Sequence, residues 1–157
     1  MDKTLNTLLQ ATFQMNSHAD NCAYWLAFNN FTNISEIFHE KYAHKFPEWA
    51  DKISDMMINL GYKPERYCLE ENNYDYSDYM ELFEDVETEL EHYRELICRT
   101  IDTANTFKFR ELVGFLDDFL LELVEYKKQV KIWINKASIT LNSSLEFDLH
   151  FGKFTFI

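Results

Sequence analysis

Four long stretches of the 157-residue chain place apolar or small residues at alternating steps of three and four. That spacing is one face of an α-helix at about 3.6 residues per turn. The first stretch, Lys3–Asn30, carries Leu5, Leu8, Thr12, Met15, Ala19, Cys22 and Leu26. The second, Ile34–Leu60, carries Phe38, Tyr42, Trp49, Ile53, Met56, Met57 and Leu60. The third, Tyr76–Ala104, carries Phe83, Val86, Leu90, Tyr93 and Ile97. The fourth, Phe109–Ala137, carries Leu112, Leu116, Phe119, Leu123, Val130, Trp133 and Ala137. Only three Gly and two Pro punctuate the chain, too few for a turn-rich β protein. The pattern predicts an all-α domain, a four-helix bundle over residues 1–140.

The connections set its topology. Short links at Phe31–Asn33 and Asn105–Lys108 make helices 1–2 and 3–4 antiparallel hairpins. Gly61, with Pro64 beyond it, stops the second helix, and Pro47 inside that helix predicts a kink or break near Ala43–Phe46. About fifteen residues, GYKPERYCLEENNYD, separate helices 2 and 3. Extended, they reach roughly 50 Å, enough to run back along a helix of roughly 40 Å, so the sequence permits one long crossover. The tail, residues 141–157, changes period. Leu145, Phe147, Leu149, Phe151, Phe154 and Phe156 mostly alternate, as in a strand. So apolar a tail is expected to dock on the bundle or on a neighbouring subunit. The four stripes end by Ala137, which predicts helices that fold without it.

A hydrophobic share of 46% supports a packed core. The net charge of −12 disfavours DNA and anionic membranes and favours cations or a basic partner. Cys22, Cys68 and Cys98 are odd in number and form no C-x-x-C pair, which excludes a disulfide framework and a thiolate zinc site. The N-terminus lacks the pattern of a signal peptide, and no apolar run is long enough to cross a membrane. A cytoplasmic protein is expected.

Chemistry concentrates on the second helix. At about 100° per residue on an unbroken helix, Glu36, Glu40, Asp51 and Asp55 share the face opposite Trp49, Ile53 and Leu60. Each i,i+4 pair of carboxylates repels itself unless a cation intervenes. The stripe is either the solvated face of an acidic helix or half of an oxygen-rich metal site completed by a second subunit. Two Glu-x-x-His pairs, Glu36/His39 and Glu89/His92, match half of the inward di-iron pattern of helical bundles. Glu36 points outward, however, and the fourth helix has no histidine. His18, His44 and His150 follow no pattern and read as surface residues. No Ser-His-Asp arrangement, Gly-rich phosphate loop or basic aromatic patch is present.

The run YWLAFNNFTNISEIFHEKYAHKFPEWADKISDMMINLGYKP (Tyr24–Pro64) resembles the Dps branch of the ferritin-like superfamily, the mini-ferritins. Trp25 falls on that family's Trp, Glu40 on its acidic residue, Asp51 and Asp55 on its Asp-x-x-x-Glu, and Gly61 and Pro64 on its terminal turn. The resemblance covers roughly Leu5–Ala137. It implies a ferritin-like bundle assembled into a hollow homododecamer that binds, oxidises and stores iron. The ferroxidase sites would lie between two-fold-related subunits, holding divalent ions with Glu36, Glu40, Asp51 and Asp55, beside Tyr24 and with His39 as a nitrogen donor. Both family histidines are replaced, by Tyr24 and Glu36, so slower iron oxidation is expected. No Lys-rich tail is present, and no DNA binding is expected. The alternative is a ferritin-like bundle without iron chemistry, an interaction or structural protein acting as an acidic decoy of a basic partner.

Overall fold

The computed structural model describes residues 1–72, 74–140 and 142–157. Asn73, in the crossover, and Leu141, where the tail is expected to begin, lie outside the described residues. Helix α1 spans Asp2–Phe28. The second helical arm comprises α2 (Thr32–Phe38), a π turn (His39–Ala43) and α3 (Lys45–Asn59). After the crossover come α4 (Tyr79–Thr106) and α5 (Arg110–Ile139). The chain closes with α6 (Ser144–His150) and a 3₁₀ turn, Phe151–Phe154. The fold is the expected four-helix bundle with one long crossover.

Three helix ends share one stop. Asn30, Gly61 and Lys108 take left-handed φ of 68°, 82° and 61°. Each lets the next residue's N–H reach back to a carbonyl of the last turn: Phe31 to Leu26, Tyr62 to Met57 and Phe109 to Ala104. This is the Schellman closure, natural for Asn and Gly but costly for a side chain like that of Lys108. At the other end of a helix, Asp78 caps α4 by accepting from the Glu81 N–H at 2.8 Å, while the Glu81 carboxylate takes the Ser77 N–H at 2.7 Å. This reciprocal cap starts the helix at Tyr79, three residues later than periodicity alone places it.

The break foreseen from Pro47 is a π turn closed by His44 N–H to His39 carbonyl at 3.1 Å. Pro47 then sits in the first turn of α3, where its missing N–H leaves no helical bond unmade. An i→i+5 closure accommodates extra backbone, so a wheel drawn through one unbroken helix loses its phase here. Glu36 and Glu40 belong to a segment rotated relative to Asp51 and Asp55.

The crossover is bound to α1 by a row of polar side chains four residues apart. Asn6 donates to the Lys63 carbonyl at 3.1 Å and accepts from Glu65 N–H at 2.9 Å. Gln10 accepts from Tyr67 N–H at 2.9 Å and reaches the Tyr67 carbonyl at 3.5 Å. These amides supply partners for backbone that has none of its own.

The tail is helical, contrary to its strand-like alternation, and it enters the core. Phe147 and Phe151 are fully buried. Phe147 stacks on Tyr79 at 4.7 Å and Phe151 on Trp133 at 5.1 Å. Asp148 accepts the Ile34 N–H at 2.9 Å near the start of α2. Buried Gln129 donates to the Phe154 carbonyl at 2.8 Å, and the Trp133 indole donates to Thr155 at 2.9 Å. The core therefore extends past Ala137, with Phe147 and Phe151 part of it.

Candidate metal-binding surface and bundle interior

The interior of the bundle is aromatic where a di-iron bundle needs inward carboxylates. Tyr42, Phe46, Trp49, Tyr93, Phe119 and Trp133 are buried, with Trp49 meeting Phe119 at 4.8 Å and Tyr126 at 5.2 Å. Buried polar side chains among the described residues are Asn6, Thr12, His18, Thr100 and Gln129, with no carboxylate. Thr12 and Tyr93 satisfy each other at 2.7 Å. Glu122 reaches in from its edge of α5 to accept from the Trp49 indole at 3.0 Å, and it is matched by the Lys45 ammonium. A lysine thus stands where a bound cation would neutralise that carboxylate. Burial alone would push the Glu122 carboxyl up, but the bonds from Lys45 and Trp49 outweigh it and hold it below its ordinary value. The two Glu-x-x-His pairs do not point here. Glu36 and His92 are exposed and Glu89 lies at the surface, with Glu89 4.0 Å from its own His92. An inward di-iron centre is therefore not built from these residues.

The outward stripe is present as exposed acid. Glu36, Glu40, Asp51 and Asp55 are all exposed, and Tyr24 is 62% exposed. Among the described residues none of the four carboxylates has an ion-pair partner. Glu48, Glu87, Glu91 and Glu122, by contrast, are each matched by lysine. His39 is half-buried, 3.4 Å from Asp20, with its ring against His44 at 4.3 Å. Among the described residues of one chain, no group of three or more His, Cys, Asp or Glu side chains is placed to hold a metal ion.

The sequence reading missed a buried polar cluster. His18, expected at the surface, is 6% exposed. Its Nε2 meets Asp85 at 2.8 Å, and the Tyr76 hydroxyl donates to the same Asp85 oxygen at 2.6 Å. Burial alone would lower the His18 pKa, but Asp85 and the neighbouring Cys22 raise it to about 10, so the ring is an imidazolium at neutral pH. The available signal was the row Asn6, Gln10, Gln14, His18. Polar residues at i,i+4 beside a core stripe mark a helix edge that something must cover.

The profile of the ferritin-like domain matches residues 2–139, and the chain belongs to that family. Among solved structures it is similar to the open-pore ferritin of the hyperthermophilic archaeon Archaeoglobus fulgidus. There the TM-score is 0.92 at 16% identity, over 100% of this chain and 95% of that one. A humanized archaeal ferritin gives 0.89 at 16% identity, over 96% and 92%. A PmFTN variant soaked in iron gives 0.88 at 11% identity, over 94% and 96%. At these identities the likeness is one of fold. No curated protein matches the chain. Among the described residues no helix is long and apolar enough to cross a membrane.

Proposed function

We propose that this chain is a self-assembling ferritin-like subunit that binds iron between subunits, on the acidic outer face of its second helical arm, rather than inside its own bundle. The observation that carries the reading is the contrast in pairing. Glu36, Glu40, Asp51 and Asp55 stay exposed without a cation, while Glu48 on the same arm is matched by Lys45 and Lys52. Such a face attracts divalent ions and repels a second copy until they bind. Exposed Ile139, Leu145, Leu149 and Phe156 around the tail offer apolar surface to a second copy. In the mini-ferritin arrangement, Glu36 and Glu40 of one subunit would face the same arm of another carrying its own Asp51 and Asp55. Tyr24 and His39 would stand beside that site, in a dodecamer. The family's membership and its iron-soaked structural relative support the choice of iron as cargo. With Tyr24 and Glu36 in place of two imidazoles, preference for ferrous iron over magnesium or calcium falls, and oxidation by peroxide is slow.

The test is an anaerobic ferrous titration followed by Trp25 fluorescence, then peroxide, on wild type and on the Asp51→Asn/Asp55→Asn double variant. Saturable binding in wild type that weakens at least about ten-fold in the variant is expected. Equal binding and oxidation in the two would leave the stripe a solvated face. The second reading, a bundle acting through protein contacts without iron chemistry, draws on the aromatic, carboxylate-free interior. It predicts no saturable ferrous binding in either protein.

A further inference from the structure

A groove of about 630 Å³ runs between α4 and α5, within the size range of small-molecule sites. Core residues Leu90 and Val130 lie at its floor, and Val124, 52% exposed, lines it from α5. The rest of the lining is charged, and unequally so. Arg94, Lys127, Lys128 and Lys131 stand against only Glu87 and Glu91, an excess of two positive charges on a chain whose total is −12. Both carboxylates already face cations. Lys131 meets Glu87 at 3.3 Å, Arg94 meets Glu91 at 3.1 Å, and Lys127 pairs with the same Glu91. Lys128 lines the groove with no carboxylate partner among the described residues. The Lys127–Glu91 and Lys131–Glu87 pairs cross from one helix to the other, so the methylene stems of these lysines add to the apolar wall. On α4 the lining runs from Glu87 to Arg94, roughly 10 Å of helix, which suits an extended alkyl chain of about eight carbons.

We infer that this groove binds an amphipathic organic anion of the medium-chain fatty carboxylate class. Its carboxylate accepts from Lys128, and its chain lies over Leu90 and Val130 against Val124. The local excess of positive charge selects an anion on a protein that otherwise repels one. A small inorganic anion would gain that charge but leave the apolar floor wet, and a neutral alkane would leave Lys128 unanswered. The groove shares no residue with the acidic stripe of the second arm, and it stands whether or not that stripe holds iron.

The probes are octanoate, acetate as its head alone, and octylammonium as the same chain with the opposite charge, titrated calorimetrically into the intact protein. Octanoate is expected to bind saturably and at least about ten-fold more tightly than acetate, with no saturable binding of octylammonium. Lys128→Glu should weaken octanoate at least about ten-fold, and Val124→Ser at least about three-fold. Both side chains are exposed, so the thermal melts should stay within a few degrees of wild type. Should Lys128→Glu disturb the fold, Lys128→Gln replaces it, with at least about three-fold weakening expected. Absence of saturable octanoate binding would overturn the inference, as would equally tight binding of acetate or of octylammonium. Octanoate binding unchanged in the Lys128 and Val124 variants would place the ligand elsewhere on the protein, and the inference would fall.

Discussion

Glu122 illustrates what a single residue contributes when its surroundings are aromatic. It lies on α5 between buried Phe119 and Leu123, and a helical wheel reads it as an ordinary acid at the edge of the apolar stripe. Its partners, the Trp49 indole and the Lys45 ammonium, belong to another helix, so no spacing along α5 could have revealed them. The same holds for His18, whose burial comes from a crossover more than fifty residues away in sequence. The stripe residues Trp49, Tyr93 and Trp133 were legible because helical phase alone settles which way they face. Because Glu122 is held below its ordinary carboxyl value, its bonds stabilise the fold above the unfolded Glu pKa of about 4.3. They are lost as pH falls through the lower folded value. Glu122→Gln should therefore destabilise the protein at pH 7, by on the order of 1 kcal/mol for a group one-third exposed. The gap between the two melting curves should close below about pH 4. A gap that stays constant down to pH 3 would mean the charge of Glu122 contributes nothing.

At the scale of elements, the four long helices and their hairpin pairing were readable from period and link length, and the break in the second arm from Pro47. The tail was misread for a specific reason. Leu145, Phe147, Leu149 and Phe151 alternate as strand residues do, but the same four positions form two i,i+4 pairs on a helix. Phe147 and Phe151 turn into the core, while Leu145 and Leu149 are 69% and 61% exposed. An apolar residue on both faces of a short helix is indistinguishable from strand alternation when only periodicity is read. Phase also failed across His39–Ala43, where the π turn separates the two halves of the acidic stripe. Because Phe147 contacts Tyr79, Phe83 and Phe151, Phe147→Ala should cost about 3–5 kcal/mol in chemical denaturation, as other buried Phe truncations do. Leu149→Ala, on the exposed face, should change stability by less than about 0.5 kcal/mol. Equal effects at the two positions would show that the tail does not pack on its own bundle.

For the whole molecule, the distribution of charge matters more than its total. Lysines match Glu48, Glu87, Glu91 and Glu122 on α3, α4 and α5, and the excess that makes the net charge −12 includes the unmatched carboxylates of the second arm. Two such faces brought together repel, and a divalent ion between them reverses the sign of the contact. On the proposed function, assembly is coupled to metal: a ferritin-like subunit with no buried carboxylate among its described residues would complete its site by meeting another copy. The sequence exposed the acidic stripe and two readings of it, a solvated face or half of a site completed by a second copy, but periodicity in one chain does not choose between them. Native mass spectrometry of wild type and of the Asp51→Asn/Asp55→Asn variant, with and without anaerobic ferrous iron, tests this directly. The account predicts a closed homo-oligomer of wild type that gains iron in proportion to its subunits and forms more completely when iron is present, with the metal gain absent in the variant. A wild-type protein that remains monomeric at high concentration, with iron and at moderate salt, would contradict it.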